Sequence, residues 1–204
     1  TVPDTGNIPL VADMSSCLLS EPIDISKFAL IYAGAEMNLA PAGLTVAIIR
    51  SDLIGNALEI TPAMYNYENL AEKNVEYTPP VFNIYVAKLT LEWIKSLGGL
   101  EEMKRRNEKK ASCLYDYIDG QFYYVSTIDK KCRSMTNIVF NTGNAALDER
   151  FCIEASLAGF TNLKGHESVG GICASIYNSM PYEGVEKLVD FMREFAKRNS
   201  KFYE

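Results

Sequence analysis

Apolar residues fall into short unbroken runs over the first fifty positions and into longer runs at threes and fours after residue 80. Ile8 to Ala12 is a short apolar stretch ending at Asp13, a pattern that predicts a buried parallel strand. Phe28 to Ala33 and Leu44 to Ile49 repeat it, each bounded by Gly and Pro punctuation. Three such strands predict part of an α/β sheet rather than a complete one, since no βα unit precedes them. An incomplete sheet of this kind would carry an open edge and an apolar face.

Pro79-Pro80 introduces a helix over 81–97, with Phe82, Tyr85, Leu89 and Trp93 at helical spacing and Gly98-Gly99 as its stop. A second helix is predicted over 100–118, turning Leu100, Met103, Ala111, Leu114 and Ile118 to a core. Ser134 to Phe140 alternates as a strand, Ala145 to Ala158 reads as a helix, and Gly171 to Tyr177 as another strand. Glu183 to Lys197 closes the pattern as an amphipathic helix with Val185, Leu188, Val189, Met192 and Phe195 on one stripe. The expected organisation is α/β over 1–97, with its last helix as a bridge, and a smaller α+β domain over 98–204.

Composition narrows the possible functions. The 204 residues are 48% apolar, enough for a core. No run of eighteen apolar residues occurs, so no membrane span is expected. The start, Thr1-Val2-Pro3-Asp4, is no signal peptide and lacks an initiator Met, so residues before Thr1 are expected to be missing. A net charge of −6 argues against nucleic acid as a partner. The run Lys104-Arg105-Arg106 with Lys109-Lys110 is interleaved with Glu101, Glu102 and Glu108 and reads as a solvated helix face. Five scattered cysteines without a Cys-x-x-Cys pair, and a single His, leave little for a metal site and suggest free thiols in a reducing, cytoplasmic compartment.

Few residues suggest chemistry on their own. Asp13, at the carboxyl end of a strand, stands where α/β sheets bind ligands, or else simply caps a loop. Cys173 lies beside Ile172 in a strand, with His166 as the one imidazole available to it: a buried thiol, or half of a Cys–His nucleophile pair. Met37, after an apolar strand, reads as a core filler.

The motifs say more. Val11-Ala12-Asp13-Met14-Ser15-Ser16, Leu19-Ser20-x-Pro22-Ile23-Asp24 and Ser26-Lys27-Phe28 lead into Ala33-Gly34-Ala35-Glu36-Met37-Asn38-Leu39-Ala40-Pro41-Ala42-Gly43. Thr78-Pro79-Pro80, Arg133-Ser134-Met135, Leu163-Lys164-Gly165-His166 and Val169-Gly170-Gly171 with Ala174-Ser175-Ile176-Tyr177-Asn178 follow in order. Together they resemble the latter half of the phosphoserine aminotransferases, class V, fold-type I transaminases dependent on pyridoxal phosphate. The resemblance implies the end of the large cofactor domain followed by the small C-terminal domain.

It also implies roles. The family pattern Gly-Ala-Gln-Lys-Asn-x-x-Pro-Ala-Gly carries the lysine that holds the cofactor as a Schiff base, and here that position is Met37. A thioether forms no imine, so no covalently held cofactor and no catalytic residue is expected. Asp13 corresponds to the carboxylate that keeps the cofactor's ring nitrogen protonated. Thr78 is kept from the stretch a partner subunit offers the cofactor phosphate, while Tyr77 replaces its asparagine and Glu36 the glutamine beside the lysine. His166 persists at the substrate phosphate. Glu167 and Cys173 replace two arginines that bind the substrate's phosphate and carboxylate.

These changes act in one direction. Like charges about 4 Å apart repel by about 1 kcal/mol in water and about 4 kcal/mol at an effective dielectric near 20. Loss of two forked guanidinium donors and gain of two carboxylates therefore disfavour a doubly anionic ligand. The expectation is a degenerate, inactive homologue retained as a structural or regulatory protein, dimerising with itself or with a related transaminase subunit. The alternative is a phosphoserine:2-oxoglutarate transaminase of serine and pyridoxine biosynthesis, active once a missing N-terminal half completes it.

Overall fold

The computed structural model describes residues 2–72, 78–167 and 169–199. Two units divide near residue 99, Thr1–Gly99 and Leu100–Glu204.

In the first unit, β1 (Val11–Asp13), β2 (Leu30–Gly34) and β3 (Thr45–Ile49) form a sheet in that order. β1 runs parallel to β2, and β3 returns antiparallel with Tyr32 opposite Ala47. The turn between β2 and β3 is closed by Ala35, whose N–H donates to the Leu44 carbonyl at 2.9 Å and whose carbonyl accepts from Leu39 and Ala40. The parallel strand expected at residues 8–12 thus shifts to 11–13, and its burial does not hold: Ile8 is 73% and Val11 53% exposed. Only Leu10 and Ala12 reach the small cluster of Met14, Phe28 and Ile31, so one side of the strand has a core and the other has none.

α1 (Tyr67–Glu72) is a short turn of helix, and α2 spans Val81–Leu97 as its periodicity predicts. Gly98 ends α2 at φ 113°, a left-handed conformation that lets its N–H reach the carbonyls of Ile94 and Lys95. The stripe of Phe82, Tyr85, Leu89 and Trp93 is exposed, while Ala87 and Ile94 are the buried positions. At the other end, the Asn83 side-chain amide donates to the carbonyls of Pro41 and Ala42, each at 2.8 Å, fixing the helix start to the β2–β3 turn region.

The second unit holds α3 (Gly99–Asp119), β4 (Asn137–Phe140), α4 (Ala145–Leu157), β5 (Ile172–Ser175) and α5 (Tyr182–Asn199). β4 and β5 pair antiparallel, with Val139 opposite Cys173. Alternation puts Ile138, Phe140, Ile172 and Ala174 on the core side. α5 buries all five of its predicted stripe residues, and α3 buries Met103, Ala111, Leu114 and Ile118. Asn144 caps α4 by accepting from the N–H groups of Ala146 and Leu147. Phe151 anchors the centre, its ring edge-on to Tyr124, Phe140 and Phe195. The Tyr124 hydroxyl, also buried, donates to the Met192 carbonyl at 2.9 Å.

One expectation about α3 fails. Lys110 is not on the solvated face with Lys109 but buried, donating its ammonium to the carbonyls of Ile176 at 3.1 Å and Tyr177 at 2.6 Å. Both carbonyls lie just past β5; Tyr177 also accepts from the Met180 N–H, and a long side chain from α3 supplies the donor that burial demands at Ile176.

Candidate functional site

The residues singled out from the sequence fall into two sets, one in each unit. Asp13, Glu36 and Met37 gather at the carboxyl end of the β1–β2 pair, because parallel strands end on the same side. Asp13 is exposed, and its Oδ1 accepts twice from Ser15, from the backbone N–H at 2.9 Å and from the hydroxyl at 2.6 Å. The same hydroxyl accepts from the Gly34 N–H at 3.0 Å, so Ser15 joins the ends of β1 and β2. The Ser15 hydroxyl is the main reason the Asp13 carboxyl sits below its ordinary range; the Ser15 N–H adds to it, and the Tyr32 hydroxyl contributes less. A carboxylate held ionised this way can accept a proton-bearing ring nitrogen.

Ser15 belongs to the Val11–Ser16 motif, whose residues alone assign it no role. The Asp-x-Ser spacing is the signal that identifies it, and it recurs at Asp24, which accepts from the N–H and hydroxyl of Ser26 in the same manner. Asp13 therefore also does the loop-capping work that its local sequence encodes.

Glu36 is exposed and folds back on the strand end, with its carboxylate oxygens 2.7 Å from where a Cβ on Gly34 would stand. Met37 is half-buried in the turn after β2, a partial version of the core role expected for it. Asn38 beside it donates to the Leu18 carbonyl at 3.1 Å. Thr78 is exposed ahead of α2, and Tyr77 lies outside the described residues.

In the second unit, His166 and Glu167 are exposed on the segment leading into β5. Cys173 N–H donates to the Leu163 carbonyl at 2.8 Å, and Gly165 N–H to the Gly171 carbonyl at 2.9 Å, which pins this segment alongside the strand. The His166 carbonyl accepts from both Val169 and Gly170. A Cβ on Gly165 would stand 2.1 Å from the Gly170 oxygen, so the tight return requires glycine. His166, Glu167 and Lys164 line a cleft of about 760 Å³ against Cys152 and Ile153 of α4.

Cys173 is half-buried on β5, and burial pushes its thiol up, with a smaller opposing effect from Ser175. It is not among the residues lining the cleft with His166. A raised thiol away from the imidazole's cleft is the reverse of an activated nucleophile, so the Cys–His pair is set aside. Among the described residues no cluster of His, Cys, Asp and Glu is arranged for a metal ion, and no helix is long and apolar enough to cross a membrane.

The sequence profile of the class-V aminotransferases matches residues 3–188. The phosphoserine aminotransferase of Bacillus cereus (strain ATCC 10987 / NRS 248) is 51% identical over 199 residues, covering 97% of this chain and 55% of the relative. That of Hahella chejuensis is 48% identical over 200 residues, covering 98% and 55%. Among solved structures, phosphoserine aminotransferase from Bacillus circulans subsp. alkalophilus superposes with a TM-score of 0.91 at 45% identity, over 96% of this chain and 55% of that one. The pyridoxal-phosphate-bound enzyme from Trichomonas vaginalis gives 0.88 at 36% identity, over 94% and 55%. The chain thus spans about half the length of the curated relatives it matches.

Proposed function

The chain belongs to the class-V aminotransferases, and we propose that it is a member without transaminase chemistry of its own, retained as a structural or regulatory protein that dimerises with itself or with a related transaminase subunit. The observation that carries this reading is Met37. By the resemblance of its motif the residue stands at the position of the family's cofactor lysine, and a thioether has neither the nucleophilic nitrogen nor the transferable proton that lysine supplies.

The neighbourhood supports it. Asp13 suits a protonated ring nitrogen, so part of the cradle for pyridoxal phosphate fits, but covalent attachment at Met37 does not. Glu36 lays a carboxylate over Gly34 beside that cradle, where a phosphorylated ligand would meet like charge. In the second unit, Glu167 places a carboxylate in the cleft with His166, which Asp148 and Glu149 also line. A cytoplasmic location, shared with a partner subunit, belongs to the same proposal.

The near 50% identity to phosphoserine aminotransferases favours one alternative: transamination between phosphoserine and 2-oxoglutarate, once the part of the fold beyond this chain is supplied. Spectroscopy and peptide mass spectrometry after incubation with pyridoxal phosphate and borohydride separate the two. The expected result is no stoichiometric pyridoxyl group on any single residue. A specific, substrate-protectable adduct would favour the alternative and end the first reading.

A further inference from the structure

The core takes one face of α4 and leaves the other. Leu147, Phe151 and Ala155 are its buried positions. The face turned away from them, running at threes and fours from Ala145 to Leu157, forms one wall of the cleft of about 760 Å³. The other wall is the segment from Lys164 to Gly171, held beside β5 by the Gly165–Gly171 and Cys173–Leu163 hydrogen bonds. Along α4 the chemistry of this wall changes from end to end. Asp148 and Glu149 come first; Ile153 and Leu157, 57% and 85% exposed, follow one and two turns later. At 1.5 Å per residue, Glu149 and Leu157 are roughly 12 Å apart along the axis. A solvated helix face has no need of two large apolar side chains in a row beyond its carboxylates.

Charge decides which ligand such a wall suits. The carboxylates of Asp148, Glu149 and Glu167 outnumber the ammonium of Lys164, with His166 and the Cys152 thiol as the remaining titratable groups of the lining. The start of α4 would by itself attract an anion. Its N–H groups are already engaged, however, since the Asn144 side chain accepts from Ala146 and Leu147. Asp148 adds negative charge at the same end and is fixed there by Thr142, whose N–H and hydroxyl each donate to it at 2.7 Å. Cys152 lies between the acidic and apolar ends, near enough to both Asp148 and Lys164 for each to act on its thiol.

We infer that this cleft binds a small organic ammonium compound, its cationic head drawn to Asp148 and Glu149 and its apolar chain laid along Ile153 and Leu157. Glu167 strengthens the same field from the opposite wall. The volume is that of a small-molecule site, which selects a free ligand over the side chain of a docked peptide. A phosphorylated ligand, which the family resemblance would bring beside His166, meets the wrong sign of charge here. The inference goes beyond the reading above, because it rests on the lining of this cleft and not on Met37 or on whether any cofactor is held.

The test is alkylation of the full chain by iodoacetamide, read cysteine by cysteine by peptide mass spectrometry. Cys152 lines the cleft and is partly exposed, while Cys132 is exposed outside it and serves as the internal control. Octyltrimethylammonium is expected to slow alkylation of Cys152 at least fivefold and to leave Cys132 unchanged. Octanol and octyl phosphate, of equal chain length, are expected to slow Cys152 less than twofold. Glu149→Gln combined with Glu167→Gln, both at exposed positions, is expected to abolish the protection by the ammonium compound. Circular dichroism checks that this variant is folded, and the three ligands compared on the parent chain decide the matter if it is not. Equal protection by octanol would mean an apolar groove without charge selection, and stronger protection by octyl phosphate an anion site. Either result, no protection at all, or protection that survives in the folded double variant would overturn the assignment.

Discussion

Ser15 donates both its backbone N–H and its hydroxyl to one oxygen of Asp13, at 2.9 and 2.6 Å, while its oxygen accepts from Gly34 on the neighbouring strand. The carboxylate most suited to a ligand is therefore held by a residue two positions away, and its charge is set locally.

Removing that hydroxyl should release the carboxyl. Ser15→Ala is expected to raise the Asp13 pKa towards the ordinary Asp value, because the largest cause of its depression is lost. A depressed folded-state pKa contributes stability above the unfolded value and loses it as pH falls, so the variant should also show a flatter acid limb. Carboxyl carbon titration by NMR reads the shift directly; an unmoved pKa would refute the account.

Charge reversal at the cleft is the second test. Glu167→Arg replaces a carboxylate that repels an anion beside His166 with a guanidinium that attracts one, and each such unit is worth about 1 kcal/mol in water, or roughly fivefold in affinity. Inorganic phosphate is expected to bind the variant five- to thirtyfold more tightly than the parent chain, measured from His166 chemical shifts. Equal affinities would mean that this cleft does not address anions.

Gly165 carries a steric prediction. An added methyl would stand 2.1 Å from the Gly170 oxygen and 2.9 Å from the Gly171 oxygen, both backbone atoms that cannot swing aside. Gly165→Ala should cost about 1–3 kcal/mol, the range for overpacking. It should also speed amide exchange at Val169 and Gly170, which donate to the His166 carbonyl. A variant as stable as the parent, with unchanged exchange there, would count against the geometry.

Lys110 gives the second unit a distinctive alkaline response. Burial pulls its pKa down from 10.5 to about 8. Between those values the unfolded chain holds more protons than the folded one, so this residue's contribution makes stability rise with pH across that window. Lys110→Met should remove that contribution and cost roughly 1–3 kcal/mol at neutral pH by taking the ammonium donor from the Ile176 carbonyl, while the Tyr177 carbonyl keeps the Met180 N–H. Urea unfolding followed by tyrosine fluorescence at several pH values checks both; a parallel pH dependence in parent and variant would be the contrary result.

Sequence alone determined the elements whose signals are local. The α2 bounds follow from Pro80 and Gly98 and the α5 stripe from its period. The ordered motifs from Val11 to Asn178 likewise specified the family, since each one constrains a turn or strand end by residue type. Only the tertiary structure decided what those elements face. Lys110 looked like its solvated neighbours until two carbonyls past β5, sixty-six and sixty-seven residues away, claimed its ammonium. Val11, expected within a buried strand, is exposed, because an apolar pattern records that a face is to be covered without recording by which part of which chain. Periodicity is a property of one segment, whereas burial is a property of whatever packs against it.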